Sequence, residues 1–192
     1  MESRPLSDLA KLTGLKPRTL QFWTTSGVIQ PDEGTKHGGP GVHRRYRPTE
    51  VIIACIIAEL SKFNFQVGML GEIASYLRES MDFGLTHNLR SYNEALKLLK
   101  ESKESNNDWE CSDLKVDDTI QRAIEIETSD NHLLELYTAI LGGIAGHNHK
   151  IVIHSKSGYA YIYAVISAPG EFEDLSSYLT INLARVLLKV AS

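Results

Sequence analysis

Leu9-Ala10-Lys11-Leu12-Thr13-Gly14-Leu15-Lys16-Pro17-Arg18-Thr19-Leu20-Gln21-Phe22-Trp23, followed about twenty residues later by His43-Arg44-Arg45-Tyr46, decides how this chain is to be read. Leu6, Leu9 and Leu12 recur at helical spacing. Gly14 stands where a helix stops, and Pro17 suits the first position of a second helix, where its missing N–H costs nothing. The spacing predicts two short helices meeting across a tight turn. In the second, roughly Pro17 to Ser26, Arg18, Thr19 and Gln21 point one way while Leu20 and Trp23 lie on the other side, so one edge can enter a major groove. Trp23 is read as core rather than contact.

Residues 34–46 are rich in glycine, with Pro40 and two histidines before Arg44-Arg45-Tyr46, and this composition reads as a loop or β-hairpin, a wing. His43, Arg44 and Arg45 are then placed to grip phosphate. From Pro48 to Phe63, Ile52, Ile53, Ile56, Ile57, Leu60 and Phe63 recur at helical spacing, with Glu50 near the positive helix end. A fourth short helix, about Val67 to Glu79, with Leu70, Ile73, Ala74 and Leu77 facing inward, completes a head of about eighty residues.

This head resembles the MerR family of winged helix-turn-helix transcription regulators. The resemblance is carried by Asp8 to Trp23, Gly41 to Tyr46 and Glu50-Val51, and it covers nearly the first eighty residues. Lys16 stands where the family usually has a serine cap, Gln21 where it has a basic residue, and Phe22 where it has a phosphate-touching tyrosine. The resemblance implies a sequence-specific regulator acting as a homodimer on a palindromic operator, with RNA polymerase as a further partner and, in several relatives, a small-molecule effector. The implied DNA-binding residues are Lys16, Arg18, Thr19, Gln21, Phe22, His43, Arg44, Arg45 and Tyr46. Arg18 is assigned to a base or phosphate, Thr19 and Gln21 to base edges. A bidentate Gln21–adenine pair is worth about 1–3 kcal/mol of discrimination.

The charge distribution agrees. The chain of 192 residues has a net charge of −4, yet residues through Pro48 hold eight Lys/Arg against four Asp/Glu, while the remainder holds twelve against twenty. A basic head on an acidic body fits a DNA binder, because phosphate attraction follows local potential. The two cysteines, Cys55 in an apolar run and Cys111 in a polar stretch, point to a reduced cytoplasmic protein rather than a disulfide scaffold. No run approaches the ~20 apolar residues that span a bilayer, so no membrane association is expected.

Leu85, Leu89, Tyr92, Leu96 and Leu99 are spaced 4, 3, 4, 3, the seam of a short two-stranded coiled coil. A dimerisation helix is therefore expected over residues 84–104, between a DNA-binding domain at 1–80 and a C-terminal effector or dimerisation domain at 105–192. The resemblance implies antiparallel pairing of that helix with its partner. Residues 101–118, rich in Ser, Asn, Asp and Lys, read as a linker. Ile120 to Thr128 suits either a helix or a strand. Asn131 to Leu141 reads as a helix stopped by Gly142-Gly143, residues 150–154 and 159–166 as a hairpin, and Glu173 to Val190 as a last helix burying Leu179, Leu183, Val186, Leu187 and Val190. The expected fold is thus mainly α with a small α+β C-terminal part.

Three further features carry competing readings. His147 and His149, near His132 and His154, have no carboxylate or thiol at ligand spacing, and a polar turn is preferred to a metal site. Tyr159, Tyr161 and Tyr163 share one face of a strand, where they either line a pocket for an organic effector or pack in an interface. Arg185, with Asn182 on the same helix, is a candidate pocket cap. No nucleophile is paired with a base and no phosphate loop occurs, so no enzyme, catalytic residue or cofactor is expected. The alternative reading is an architectural or excisionase-like DNA-binding protein.

Overall fold

In the computed structural model, residues 2–36, 43–105, 130–156, 159–165 and 179–191 are described. The chain divides into two units, Met1–Arg78 with Arg185–Ser192, and Glu79–Ala184.

In the first unit, β1 (Arg4–Pro5) leads into α1 (Leu6–Thr13). Gly14 ends α1 at φ 72°, in the left-handed region that glycine adopts without Cβ strain, and its N–H closes on the Ala10 carbonyl at 3.0 Å. Helix α2 (Pro17–Thr25) starts with proline at its first position, as the sequence predicts. A one-turn helix, α3 (Glu33–Lys36), takes up residues 34–36 of the expected wing, and β2 (Arg45–Tyr46) pairs antiparallel with β1 through Arg4 opposite Tyr46 and Pro5 opposite Arg45. Residues 37–42 of the expected wing lie outside the described residues.

Helix α4 (Pro48–Ser61) is the axis of this unit, buried continuously from Glu50 to Ala58. A helix apolar on all sides is a core helix, and α1 packs against it. Helix α5 (Val67–Thr86) buries Leu70, Ile73, Ala74 and Leu77 as expected, and it runs beyond the expected end at Glu79.

The second unit differs from the sequence expectation in three places. Residues 84–104 do not form one helix: α5 ends at Thr86, and α6 spans Tyr92–Ser105. Asn88 adopts φ 55° and the Leu89 N–H reaches back to the Gly84 carbonyl at 2.9 Å, terminating α5. Ser91 and Glu94 then form a capping box, with the Glu94 N–H donating to Ser91 Oγ at 3.3 Å and the Ser91 N–H to Glu94 Oε2 at 3.2 Å. The restart is encoded locally and overrides the apolar spacing.

Helix α7 (Asp130–Ile144) packs on α6 and passes through Gly142-Gly143 rather than stopping there. A Cβ at Gly142 would collide with the His149 ring, and one at Gly143 with the Leu183 side chain, so these glycines permit close approach. The helix turns off at Gly146, φ 88°, where the His147 N–H returns to the Gly142 carbonyl at 2.8 Å. The hairpin of β3 (Lys150–Lys156) and β4 (Tyr159–Val165) forms as expected. The sheet has a third strand, however: β5 (Leu179–Asn182) pairs antiparallel with β3, giving the order β4-β3-β5. Residues 179–182, expected in the last helix, are therefore a strand, and α8 is confined to Leu183–Ala191. Residues 101–105, expected to open the linker, instead continue α6; residues 106–129, with the rest of the expected linker, the ambiguous 120–128 segment and Cys111, lie outside the described residues.

Candidate nucleic-acid interface

Helix α2 separates its two sides cleanly. Leu20 is fully buried and Trp23 is 3% exposed, whereas Lys16, Arg18, Gln21 and Phe22 are exposed, Phe22 by 53%, and Thr19 is half-buried. Lys16 makes no side-chain cap; its carbonyl accepts the Thr19 N–H at 2.9 Å, so the helix starts on backbone alone. At the other end Ser26 Oγ donates to the Phe22 carbonyl at 2.9 Å, and the chain leaves through Gly27 at φ 80°. The helix is thereby pinned at its C-terminus, with its polar edge and N-terminus outward.

The wing strand is tied to this helix. Thr24 Oγ and Tyr46 Oη lie 2.8 Å apart, and since the single Thr24 hydroxyl proton goes to the Leu20 carbonyl at 2.8 Å, the tyrosine is the donor. Tyr46 is fully buried, and that burial raises its pKa above the ordinary tyrosine value despite the nearby Arg44. Tyr46 is therefore corrected from a surface contact to an anchor. His43 and Arg45 are exposed and Arg44 half-buried. Arg45 also has an internal role, because its guanidinium donates to the Ser3 carbonyl at 2.5 Å.

Asp32 gathers the base of the wing: its carboxylate accepts Ser3 Oγ at 2.6 Å and pairs with Arg47 Nε at 3.4 Å, and its N–H donates to the Arg45 carbonyl at 2.8 Å. Behind it, Glu50 Oε2 accepts the Gln30 N–H at 2.9 Å, Glu50 Oε1 accepts Arg78 Nε at 2.5 Å, and Arg78 Nη2 donates to the Val28 carbonyl at 2.6 Å. These groups hold the turn after α2 against α4 and α5. Sequence reasoning missed Arg78, Asp32 and Ser3; it took Glu50 as a charge near a helix end and as part of the family resemblance, without its buried partners.

The five residues of the expected dimer seam are dispersed. Leu85 ends α5 with 62% exposure, and the Leu89 carbonyl accepts Tyr137 Oη at 2.6 Å. Tyr92 bonds His149 Nε2 at 2.9 Å, Leu96 is half-buried and Leu99 is 3% exposed. His147 packs on the Tyr92 ring at 4.4 Å between centroids, so the histidine pair forms an aromatic cluster. Burial lowers the His149 pKa below the usual imidazole value, and the neighbouring His147 lowers it further. Tyr159, Tyr161 and Tyr163 lie opposite Lys156, His154 and Val152 in the β3–β4 register, but their side chains fall outside the described residues. Arg185 is exposed on α8. Among the described residues no helix is long and apolar enough to cross a membrane.

Residues 5–77 match the family described as MerR HTH family regulatory protein. No curated protein and no solved structure matches the chain. The match spans both helices of the turn, the wing strand and α4, together with Glu50 and most of α5, so residues 5–77 of this chain are a MerR-type helix-turn-helix domain.

Proposed function

We propose that the chain is a sequence-specific DNA-binding transcription regulator that acts as a homodimer on a palindromic operator in the cytoplasm. The observation that carries this reading is the two-sidedness of α2, with Leu20 and Trp23 sealed in the core and Arg18, Gln21 and Phe22 exposed along one edge. Arg18 serves a guanine edge or a phosphate, Gln21 an adenine edge, and Arg44 and Arg45 the backbone beside it. Dimerisation follows from the two-fold operators such heads read, and the exposed Leu85 supports a contact there. The sensing role, for an organic effector, falls to the second unit, and RNA polymerase is the downstream partner. The alternative, an architectural or excisionase-like protein, differs in its footprint: an array of head-to-tail sites rather than one symmetric site.

The test is selection of bound fragments from random DNA, then mobility shifts with the selected duplex. Arg18→Ala is expected to weaken binding by about tenfold or more with an unchanged circular dichroism spectrum. Equal binding by the variant removes Arg18 from the interface. Failure of the wild-type protein to shift any duplex at low ionic strength overturns the reading.

A further inference from the structure

The first unit contains a piece of the far end of the chain. Arg185–Ser192 belongs to the same unit as Met1–Arg78, although more than a hundred residues separate them. In this stretch Leu187 is fully buried and Val190 is 1% exposed, while Arg185, Leu188 and Lys189 face outward, the pattern of a helix laid on an apolar surface. Cys55, in the middle of α4, lies in that same unit. Cys55 is 1% exposed, and burial pushes its thiol up to about 11 even though the charges of Lys189 and Arg4 favour the thiolate. Lys189 is thus close enough to act on Cys55. Helix α4 needs apolar cover all round, and the last turns of the chain belong to the unit in which that cover is assembled.

We propose that residues 185–191 are a strap of the DNA-binding head: seated beside Cys55 on α4 they complete its core, and their release loosens the helix-turn-helix and weakens its grip on DNA. The last clause rests on the proposed function; the strap itself does not. The head is then a discontinuous unit, and its stability is set in part by residues 185–191.

The experiment uses a Cys111→Ser background, which leaves Cys55 as the only thiol. Labelling of Cys55 by a thiol-reactive disulfide is followed in the full chain, in Leu187→Ala and Val190→Ala, and in a chain truncated after Ala184. Each point variant is expected to label about tenfold faster or more, with an unchanged far-ultraviolet circular dichroism spectrum, because a truncated core side chain lowers the free energy of local opening. A synthetic peptide of residues 183–192 is expected to restore protection to the truncated chain. Tyr137→Phe, in the other unit, serves as control and leaves the rate unchanged. Unaltered labelling of Val190→Ala overturns the strap, whether or not the truncated chain folds. Mobility shifts on the same variants separate the two readings: a wild-type protein that binds no duplex sinks the function while the labelling rates still decide the strap. A fast-labelling Val190→Ala that binds DNA normally removes the strap's control of binding.

Discussion

Arg78 Nε meets Glu50 Oε1 at 2.5 Å across twenty-eight residues of sequence, and both side chains are largely withdrawn from water, at 16% and 7% exposure. With Gln30 and Val28 supplying backbone partners, this pair fastens the turn after α2 to α4 and α5. The pair therefore determines how rigidly the outward edge of α2 is presented.

Arg78→Ala is expected to destabilise the head by about 3–5 kcal/mol, because it leaves the Glu50 carboxylate buried without its cation. Glu50→Gln combined with Arg78→Met is expected to cost less than Arg78→Ala alone, since no uncompensated charge remains and the new amide oxygen still accepts the Gln30 N–H. Urea unfolding of the wild type and both variants measures this. A double variant no more stable than Arg78→Ala assigns the loss to packing rather than to charge.

The Thr24–Tyr46 bond makes an asymmetric prediction. Thr24→Val strands a buried tyrosine proton and is expected to cost about 1–3 kcal/mol, whereas Tyr46→Phe removes donor and demand together and leaves Thr24 bonded to the Leu20 carbonyl, costing about 1 kcal/mol or less. Thermal unfolding of both variants checks the order. The reverse order places the donor on Thr24.

Much of the head was legible because its signals are local. Gly14 and Pro17 punctuate the turn by backbone chemistry alone, and Leu20 and Trp23 fall on one side of a nine-residue helix by spacing. The clasp was not, because Arg78 and Glu50 meet only after the chain has folded. In the second unit, local signals compete along the same residues. Ser91 and Glu94 have capping-box spacing, yet the apolar 4, 3, 4, 3 repeat crosses them; Leu179 sits at helical spacing to Leu183 and Val186, yet it is committed to pairing with Ile153. Gly142 and Gly143 read as a stop because nothing in sequence announces the ring and side chain that need their room.

Gly142→Ala therefore tests tertiary packing rather than helix propensity. Alanine is the better helix former by about 1 kcal/mol, so a glycine serving only as a helix end would tolerate it or gain. Here the added methyl group meets the His149 ring, and the expected result is a lower unfolding temperature. Gly34→Ala, where nothing lies within 4 Å, is expected to be neutral. A stabilised Gly142→Ala chain would show that the close approach does not constrain this position.

His149 gives the second unit a pH dependence with a definite sign. Its folded pKa is lowered from the ordinary 6.5, first by burial and then by His147. The unfolded chain therefore takes up a proton at a higher pH than the folded one, and folding loses stability as pH falls through 6.5, the loss levelling off below the lowered folded value. Above that range this residue contributes no pH dependence. Tyr92 is the hydroxyl facing it and His147 the neighbouring titratable ring, so His149→Gln, which keeps an acceptor for Tyr92 Oη, isolates the effect. Urea unfolding between about pH 7.5 and about pH 5, spanning the imidazole range, is expected to show a steeper acid loss in the wild type than in the variant. Parallel curves would assign the acid sensitivity to other groups.

Salt dependence separates the two arginines of the wing. Removing one phosphate interaction is expected to flatten the slope of log affinity against log salt by about 0.9. Arg44→Ala is expected to show this alone, whereas Arg45→Ala also breaks the bond to the Ser3 carbonyl that braces β1 against β2. The second variant should therefore show both a flatter slope and a lower melting temperature. Mobility shifts across a salt series, with melting curves on the same preparations, measure the two effects. If Arg45→Ala loses stability and keeps its slope, Arg45 is a brace for the wing and the phosphate interaction belongs to Arg44.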